Sequence, residues 1–485
     1  MAFEVVIGLE VHAQLKTKSK AFCACSNRFG AEPNTNVCPV CLGLPGALPV
    51  LNEQVVQMAI KAGLALNSQI QHRSVFARKN YFYPDLPKGY QISQFDLPIV
   101  LGGHLDITVD DESRRIGITR IHIEEDAGKL VHQGADAIAG SDYSIVDLNR
   151  ASVPLIEIVS EPDIRSAKEA RIYMETLKLI LEFLDVCDGN LDEGSLRADA
   201  NISLRPVGTT AFGTRTEVKN LNSFRSIERA ILSEIERQTE VLNSGGRIIQ
   251  QTRHYDDATQ TTRPLRSKEQ SHDYRYFPEP DLPPLVVTDA QIQAIRDVLP
   301  ELPGAKIDRY QSESGLSEFE AVVLTADQDI NAYFEHCLSL SLSVSARDFA
   351  KWVVGDLMSL VKEHKQDFSQ TKVTPAYLGA LLGLVNAGKL SGKMAKEVLA
   401  TVFKTGEDPK SVIKKSGATQ VSDPSALRTI IDQVLEKNPD VLGKIRAGKT
   451  NSADFVIGQV MRETRGQANP DVVRSLLTEI VESAA

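Results

Sequence analysis

Two patterns of hydrophobic and polar residues divide this chain. Residues 1 to about 290 contain short runs in which apolar and polar residues alternate, with a few helical segments between them. Alternation with a period of two is typical of a strand that has one buried face. Beyond that point the spacing of apolar residues is helical. The pattern predicts an α+β domain with a mixed or antiparallel sheet, followed by all-α structure.

Capping residues predict where several helices begin. Asn52 is expected to cap one helix of the first region, and another helix is expected to start near Ser223. Ser166 and Glu169 form the pattern of a capping box, in which each side chain bonds the backbone of the other residue. In the second region, Thr374 followed by proline predicts a further helix start.

The length and one proline-rich segment predict several domains. The chain has 485 residues, and a single hydrophobic core usually stops growing at about 250 to 300 residues. Residues 276–285 contain four prolines within seven positions, which excludes a regular helix and favours an extended connection. We predict an α+β domain over residues 1–292, a helical domain over 293–407 and a small helical tail domain over 408–485.

Composition and targeting signals indicate a folded cytoplasmic protein. Hydrophobic residues make up 42% of the chain and charged residues 24%, as in ordinary globular proteins. The N-terminus lacks a secretory pattern, and no stretch approaches the roughly 20 apolar residues that a membrane span needs. We therefore expect no membrane partner.

The net charge of −10 argues against a general nucleic-acid coat, because neutralisation of phosphates drives non-specific binding. A local basic patch near the C-terminus is nevertheless a candidate RNA contact. The patch consists of Lys444, Arg446, Lys449, Arg462, Arg465 and Arg474. A solvated face of ordinary helices explains these residues about equally well.

The run VVIGLEVHAQL near the N-terminus alternates apolar residues with Gly8, Glu10 and His12. A strand would therefore present Glu10 and His12 on one face, about 7 Å apart. A histidine and a carboxylate on a sheet face are more often a hydrogen-bonded pair than metal ligands. This pair alone does not decide between the two.

Acidic residues recur in other strand-like runs, at Glu124, Glu125, Asp126, Glu157, Asp199 and Glu217. Buried carboxylates are costly unless they meet a cation, so they call for a divalent metal or for basic partners. The candidate partners are Arg197, Arg205, Arg215 and Lys219. Oxygen-rich sites with one imidazole suit Mg²⁺ or Mn²⁺, which would bridge the phosphates of ATP although no P-loop motif is present. A structural network of salt bridges is the alternative.

Four cysteines are spaced as ligands of a metal. Cys23 and Cys25 form a CxC motif, and Cys38 and Cys41 form a CxxC motif after twelve intervening residues. This spacing predicts a tetrahedral zinc site without an open position, and hence a structural role. Four reduced thiols or a redox pair remain possible interpretations.

A set of motifs, taken together, resembles the B-subunit family of the aspartyl/glutamyl-tRNA amidotransferases. The motifs are GLEVH (8–12), KNYFYPDLPKGYQISQ (79–94), IHIEEDAGK (121–129), LNRASVPLIEIVSEPD (148–163), GSLRADANISLR (194–205), GTRTEVKNLNSF (213–224), HDYRYFPEPDLP (272–283), GKLSGKMAKEVL (388–399) and GQVMRETRGQANPDVV (458–473). They occur in order through nearly the whole first domain and continue to the C-terminus.

The resemblance implies a cradle-like catalytic domain, a helical domain and a tail domain that contacts tRNA. It also implies that ATP phosphorylates the side-chain carboxylate of Glu-tRNA(Gln) or Asp-tRNA(Asn), and that ammonia then displaces the phosphate. The chain shows no glutaminase motif, and the resemblance names an amidase-type A subunit as the ammonia source and a small C subunit as the third member of a heterotrimer. The sequence leaves open which misacylated tRNA is the substrate.

The resemblance also assigns roles to individual residues. It implies that Mg²⁺ or Mn²⁺ is bound by Glu10, His12, Glu124, Glu125, Glu157, Asp199 and Glu217. Lys79 and Tyr81 match residues at the mouth of the ammonia path, and Glu125 matches a residue that gates it. Two other functions stay open from the residues alone: an RNA-binding scaffold, and a metal-dependent hydrolase that activates water.

Overall fold

A computed structural model describes residues 2–133, 141–267, 274–340, 343–416, 423–446, 450–464 and 467–483. The chain forms two compact units, Met1–Leu302 and Pro303–Ala485. The first unit contains the sheets together with four helices, and the second unit is helical.

Seventeen strands and four helices are described in the first unit. The strands are β1 (Phe3–Gln14), β2 (Gln69–Ile70), β3 (Arg73–Ser74), β4 (Ala77–Asn80), β5 (Tyr90–Ser93), β6 (Val100–Leu101), β7 (His104–Val109), β8 (Glu112–Glu125), β9 (Lys129–Gln133), β10 (Tyr143–Asp147), β11 (Pro154–Ser160), β12 (Leu196–Pro206), β13 (Thr216–Leu221), β14 (Gln251–Asp256), β15 (Thr261–Ser267), β16 (Phe277–Pro278) and β17 (Leu285–Val286). The helices are α1 (Glu53–Ala65), α2 (Ala167–Phe183), α3 (Phe224–Asn243) and α4 (Asp289–Arg296).

A ten-stranded mixed sheet organises this unit. The strand order is β15-β14-β13-β12-β1-β11-β8-β6-β2, and β7 pairs with β8 outside this path. The pair β13 and β14 is parallel, and the other neighbours are antiparallel. The central strand β1 therefore has β12 on one side and β11 on the other.

The alternation in β1 gives the sheet two different faces. Ile7, Leu9 and Val11 are fully buried in the hydrophobic core of the unit, which also takes apolar residues of α1, α2 and α3. Glu10 and His12 point to the opposite face, because successive side chains of a strand alternate. The strand prediction is confirmed, and the sheet exposes a polar face opposite its helices.

Helix starts follow the predicted caps. Asn52, Ser223 and Thr374 each accept a hydrogen bond from a backbone N–H group of the helix that follows. Ser166 likewise accepts from the backbone N–H of Glu169 at 3.1 Å. The other half of that capping box is wrong, because the Glu169 carboxylate accepts from the backbone N–H of Arg165 at 2.7 Å instead of from Ser166.

The second unit is built from helices around two hydrophobic clusters. Its helices are α5 (Pro303–Ser312), α6 (Glu318–Thr325), α7 (Gln328–Ser339), α8 (Ala346–Lys351), a π-helical turn (Trp352–Leu357), α9 (Met358–Glu363), a 3₁₀ turn (Phe368–Gln370), α10 (Pro375–Asn386), α11 (Gly392–Thr405), α12 (Pro409–Ser416), α13 (Pro424–Glu436), α14 (Pro439–Arg446), α15 (Thr450–Glu463) and α16 (Pro470–Ser483). One cluster takes buried residues from 310 to 412 and the other takes buried residues from 427 to 480. Among the described residues, no helix is long and apolar enough to cross a membrane.

The predicted fold class, an α+β region followed by helical structure, is confirmed. Helix α4 and the residues after it belong with the first unit, since Ile292, Ile295, Leu299 and Leu302 pack against its core. The division into three domains at 292 and 407 stays a prediction.

Candidate active site

Strand register brings acidic residues from distant parts of the sequence to the polar face of the sheet. Glu10 of β1 lies opposite Asp199 of β12. His12, two residues further on, lies opposite Glu157 of β11 on the other side. The polar face therefore holds two separate groups of ligands, which we call the first and second trio. The first trio is His12, Glu124 and Glu157, and the second trio is Glu10, Asp199 and Glu217.

The first trio is compact and buried. His12 Nε2 lies 3.5 Å from Glu124 Oε1 and 3.3 Å from Glu157 Oε2. Glu124 is 2% exposed and Glu157 is 8% exposed. His122, on the same strand as Glu124, places its Nε2 3.5 Å from Glu157 and 3.7 Å from Glu124. Two imidazoles thus face two carboxylates.

The charges in the first trio are mutually dependent. Burial lowers the pKa of His12, but the hydrogen bond and charge of Glu157 and the charge of Glu124 outweigh it and raise the pKa to about 9. Burial likewise raises the pKa of Glu157, but the positive charges of His122 and His12 bring it well below its usual range. A divalent ion at this position would take over the role of the His12 proton.

The second trio has a lysine where the first has imidazoles. Lys219 Nζ lies 2.5 Å from Asp199 Oδ2 and 3.6 Å from Glu217 Oε1. Burial lowers the pKa of Lys219, but the two carboxylates outweigh it and hold the pKa above its usual value. Asn201 donates to Glu10 Oε1 at 2.9 Å and Thr252 donates to Glu217 Oε2 at 2.7 Å. The carboxylates are held in place without a metal.

The donor atoms of both trios fit a hard divalent cation. Within each trio the ligand atoms lie within 4.8 Å of one another. Ligands on opposite sides of Mg²⁺ are about 4.2 Å apart, twice the metal–oxygen distance of about 2.1 Å. Small movements of the side chains would therefore close either group around an ion.

A cavity of about 300 Å³ adjoins the second trio. Its lining includes Glu10, Asn201, Phe212 and Arg215. Phe212 is 63% exposed, and the Arg205 guanidinium carbon lies 5.8 Å from its ring centroid. The cavity combines a carboxylate, an amide, a guanidinium group and an aromatic ring, and its volume lies at the lower end of the range for ligand pockets.

Glu125 lies apart from both trios. Its carboxylate accepts hydrogen bonds from Lys88 Nζ, from Ser152 Oγ and, at 2.9 Å, from the backbone N–H of Ile92. The residue is 1% exposed. Glu124 and Glu125 are neighbours on β8 and point in different directions, since side chains alternate along a strand. The structure therefore brings six of the seven acidic and histidine residues of the sequence set into the two trios and places Glu125 elsewhere.

Lys79 and Tyr81 interact electrostatically with the first trio. Burial lowers the pKa of Lys79, but the negative charges of Glu124 and Glu157 outweigh it and raise the pKa. Lys79 Nζ lies 4.9 Å from the ring centroid of Tyr274, whose ring also makes an edge contact with Tyr81 at 6.1 Å. Burial raises the pKa of Tyr81. A half-buried cation in contact with aromatic rings thus interacts with the carboxylates of the first trio.

The four predicted cysteine ligands meet in one cluster. The sulfur atoms of Cys23, Cys25, Cys38 and Cys41 all lie within 4.8 Å of one another. The Cys38 and Cys41 sulfur atoms are 3.9 Å apart. Sulfur atoms in a tetrahedral zinc site are about 3.8 Å apart, given a zinc–sulfur bond of about 2.3 Å. Four thiols in this arrangement can hold a metal.

The four basic residues predicted to pair with the carboxylates contact different groups. Lys219 bonds the second trio, and Arg215 lines the cavity. Arg197 instead bonds Asp126 at 2.9 Å, and Arg205 bonds Glu4 at 2.7 Å. Arg205 therefore supports the edge of the polar face and does not compensate the trios.

Sequence reasoning missed His122 and Lys88. The signal for His122 was available, because in IHIEE it alternates with Ile121 and Ile123 and so shares a face with Glu124. For Lys88 no comparable periodic signal exists, because it lies outside the strands.

The basic patch is described only in part. Lys444, Arg462 and Arg474 are exposed. Arg474 bonds Asp454 at 3.1 Å. Lys449, Arg465 and the side chain of Arg446 lie outside the described residues.

Comparison with known proteins adds a family match. The chain matches the model of the GatB/GatE catalytic domain over residues 5–293 and that of the GatB domain over residues 332–481. Similar proteins from a Geobacter species, Geobacter sulfurreducens and Persephonella marina are each named as the B subunit of an aspartyl/glutamyl-tRNA(Asn/Gln) amidotransferase. The first is 56% identical and the second 54% identical, and each match covers 98% of this chain and 99% of the relative. The third is 50% identical over 99% of this chain and 100% of the relative.

Proposed function

The chain belongs to the B-subunit family of the aspartyl/glutamyl-tRNA(Asn/Gln) amidotransferases, and from this premise we propose how its polar sheet face serves that function. The protein is the subunit of a glutamine-dependent ligase that converts Glu-tRNA(Gln) or Asp-tRNA(Asn) to Gln-tRNA(Gln) or Asn-tRNA(Asn). The observation that carries the mechanism is the meeting of carboxylates from five strands on one face of the sheet.

The reaction needs an activated carboxylate, because a free carboxylate is a poor acyl donor at neutral pH. An oxygen of the side-chain carboxylate attacks the γ-phosphorus of ATP, which gives an acyl phosphate and ADP. Ammonia then attacks the carbonyl carbon, the bond from carbon to the phosphate oxygen breaks, and inorganic phosphate leaves. The surplus proton of the nitrogen passes to a base or to water.

We assign the two trios to Mg²⁺ or Mn²⁺. Such ions neutralise the charge of the phosphate oxygens during the transfer. Within the chain, His12, Glu124 and Glu157 hold one position, and Glu10, Asp199 and Glu217 hold the other. His122 orients the two carboxylates that it contacts, and Asn201 orients Glu10.

We place ATP in the cavity beside the second trio. The exposed ring of Phe212 offers a surface on which a purine can stack. Arg215 and Asn201 line the same cavity as Glu10 and can bond phosphate or ribose oxygens. The phosphate chain would then run towards the trios, where the acceptor carboxylate must be held.

We propose that ammonia enters the active site past Glu125, Lys79 and Tyr81. Lys79 lies next to the first trio, so its charge can stabilise the acyl phosphate that forms there. Glu125 is buried and fixed by three hydrogen bonds, which suits a group that receives or excludes a small polar molecule.

We further propose the partners and the structural metal. An amidase-type A subunit would supply the ammonia, and a small C subunit would complete the heterotrimer. The four cysteines would bind Zn²⁺ as a closed structural site, which fits a cytoplasmic location because thiols remain reduced there. The tail domain would contact tRNA through exposed basic residues such as Lys444 and Arg462.

The test is the dependence of ATP cleavage on the acceptor. In the assembled heterotrimer, cleavage of ATP should require both a divalent ion and Glu-tRNA(Gln) or Asp-tRNA(Asn). Glu124→Gln should reduce it by about 100-fold to 1,000-fold. Equal cleavage with and without the misacylated tRNA would favour a hydrolase that activates water and would contradict the proposal.

A second test addresses Glu125 alone. With ammonium chloride supplied directly, Glu125→Gln should abolish amidation while ATP is still cleaved. Amidation near the wild-type rate would rule out its proposed role.

A further inference from the structure

The carboxylate of Glu125 is held by two side chains that the mechanism above does not use. Lys88 Nζ and Ser152 Oγ bond its two different oxygens. The Lys88 side chain is 8% exposed and Ser152 is 2% exposed. Ser152 also has a positive φ of 68°, a strained conformation for a residue other than glycine. The position of Glu125 therefore depends on what fixes Lys88 and Ser152.

The cysteine cluster lies in a long loop whose two ends are tied together. The backbone N–H of Val50 bonds the carbonyl of Phe22 at 3.0 Å, and that of Asn52 bonds the carbonyl of Ala21 at 2.9 Å. We call residues 21–52 the Cys₄ loop. All four cysteines lie inside it, so a metal there would fix the shape of the segment between the tied ends.

One end of the Cys₄ loop is bonded to the residue that carries the Ser152 hydroxyl. The backbone N–H of Ala21 donates to the carbonyl oxygen of Ser152 at 3.0 Å. Ala21 is fully buried and lies two residues before Cys23. Further along the loop, the backbone N–H of Asn36 bonds the Asn149 side chain at 2.8 Å. The segment that contains Ser152 is thus attached to the loop by backbone and side-chain hydrogen bonds.

The CxxC turn of the Cys₄ loop packs directly on Lys88. A Cβ atom added to Gly43 would lie 2.4 Å from Lys88 Cγ and 3.1 Å from Lys88 Cα. Such distances require the near end of the lysine side chain to move. Gly43 follows Cys41 by two residues, and its N–H bonds the carbonyl of Val40 at 3.0 Å within the CxxC turn. The turn and the lysine are therefore in close contact.

We propose that the Cys₄ loop positions Glu125 by fixing Lys88 through its CxxC turn and Ser152 through its first residue, Ala21. The loop takes no part in the chemistry. The shape that a bound metal would give the loop nevertheless affects kcat/KM for ammonia, because the Glu125 carboxylate shifts when Lys88 or Ser152 moves. Lys88, Ser152 and Gly43 are thus positioning residues, and this inference rests on the role proposed above for Glu125.

The test compares two glycines of the same loop in the assembled heterotrimer. Gly43→Ala forces a Cβ atom against Lys88, whereas Gly46→Ala meets no atom within 4 Å although Gly46 also has a positive φ. Gly43→Ala should lower kcat/KM for ammonium by about tenfold to 100-fold, since a displacement near 1 Å can cost that much. ATP cleavage that depends on misacylated tRNA should change less than about twofold. Gly46→Ala, with comparable backbone strain, should leave both rates near wild type.

Two further readouts do not depend on turnover. Zinc content should stay at the wild-type level in Gly43→Ala and fall in Cys38→Ser. In both variants the amide of Ile92, which bonds Glu125 Oε1, should exchange its hydrogen faster than in wild type or Gly46→Ala. If Gly43→Ala yields no folded protein, Lys88→Met takes its place, with the same ammonium defect, full zinc content and partial rescue in Lys88→Arg.

Equal kcat/KM for ammonium in Gly43→Ala and Gly46→Ala would overturn the inference, as would an unchanged Ile92 amide after loss of zinc. If instead Glu125→Gln itself uses ammonium normally, the role proposed for Glu125 fails first. The two failures are therefore distinguishable.

Discussion

The two carboxylate trios lie on one face of one sheet, yet their positive partners differ. In the first trio the partners are the imidazoles of His12 and His122, and the carboxylates are almost fully buried. In the second trio the partner is the ammonium group of Lys219, and the trio borders the cavity that Phe212 lines.

This difference predicts two ways of binding a cation. An imidazole balances the carboxylates while it carries a proton and becomes a ligand once it loses that proton, so the first trio can exchange a proton for a metal ion. A protonated lysine has no lone pair to offer, so an ion at the second trio must displace it. We therefore expect a resident ion in the first trio and an ion that arrives with the nucleotide in the second.

The largest effect is expected from Glu157→Gln, which removes the carboxylate that both imidazoles contact. Affinity for Mn²⁺ at the first trio should fall by at least about 100-fold, because a direct ligand is lost. Electron paramagnetic resonance titration measures this. Glu112→Gln is the matched control, because Glu112 lies at the far end of β8, is exposed and pairs with Arg114. Equal Mn²⁺ binding in the two variants would contradict the assignment.

A smaller effect is expected from His122→Ala. Without its contacts to Glu124 and Glu157 the two carboxylates lose their orientation, so Mn²⁺ should bind the first trio about tenfold to 100-fold more weakly. The second trio should be unaffected, which separates the two classes of site in one titration. A uniform loss at both classes would indicate a general disturbance of the sheet and no specific role for His122.

The smallest effect is expected from Lys219→Met, and its sign is opposite. Loss of the ammonium group removes the cation that competes for Asp199 and Glu217, so Mn²⁺ without nucleotide should bind the second trio more tightly, by about tenfold. The affinity of the first trio for Mn²⁺, measured by isothermal titration calorimetry, should stay unchanged. Weaker binding at the second trio would mean that Lys219 organises the site and does not compete with the metal.

The sequence predicts which face of β1 carries Glu10 and His12. It does not predict that these two residues belong to different trios. Alternation alone places Glu10 and His12 on one side. That these neighbours serve different trios follows from register with two other strands, since Glu10 faces Asp199 and His12 faces Glu157. Register between strands that lie far apart in the sequence leaves no periodic trace in either segment.

The position of Glu125 was also not predictable from the sequence. Its motif places it beside Glu124, so family likeness assigns both residues to metal binding, but adjacent strand residues point to opposite faces. The side chains that bond the Glu125 carboxylate belong to Lys88 and Ser152, neither of which lies in a strand. The cysteine cluster is the contrasting case, because the CxC and CxxC spacings already restrict four sulfur atoms to one small volume.

The most direct measurement is anomalous diffraction from crystals of the heterotrimer soaked with Mn²⁺ and a non-hydrolysable ATP analogue. We predict one anomalous peak for a manganese ion bound by His12, Glu124 and Glu157. We predict a second peak, present only with the nucleotide, for an ion bound by Glu10, Asp199 and Glu217. Nucleotide bound elsewhere, with no manganese in contact with either trio, would contradict the central claim that this sheet face is the phosphorylation site.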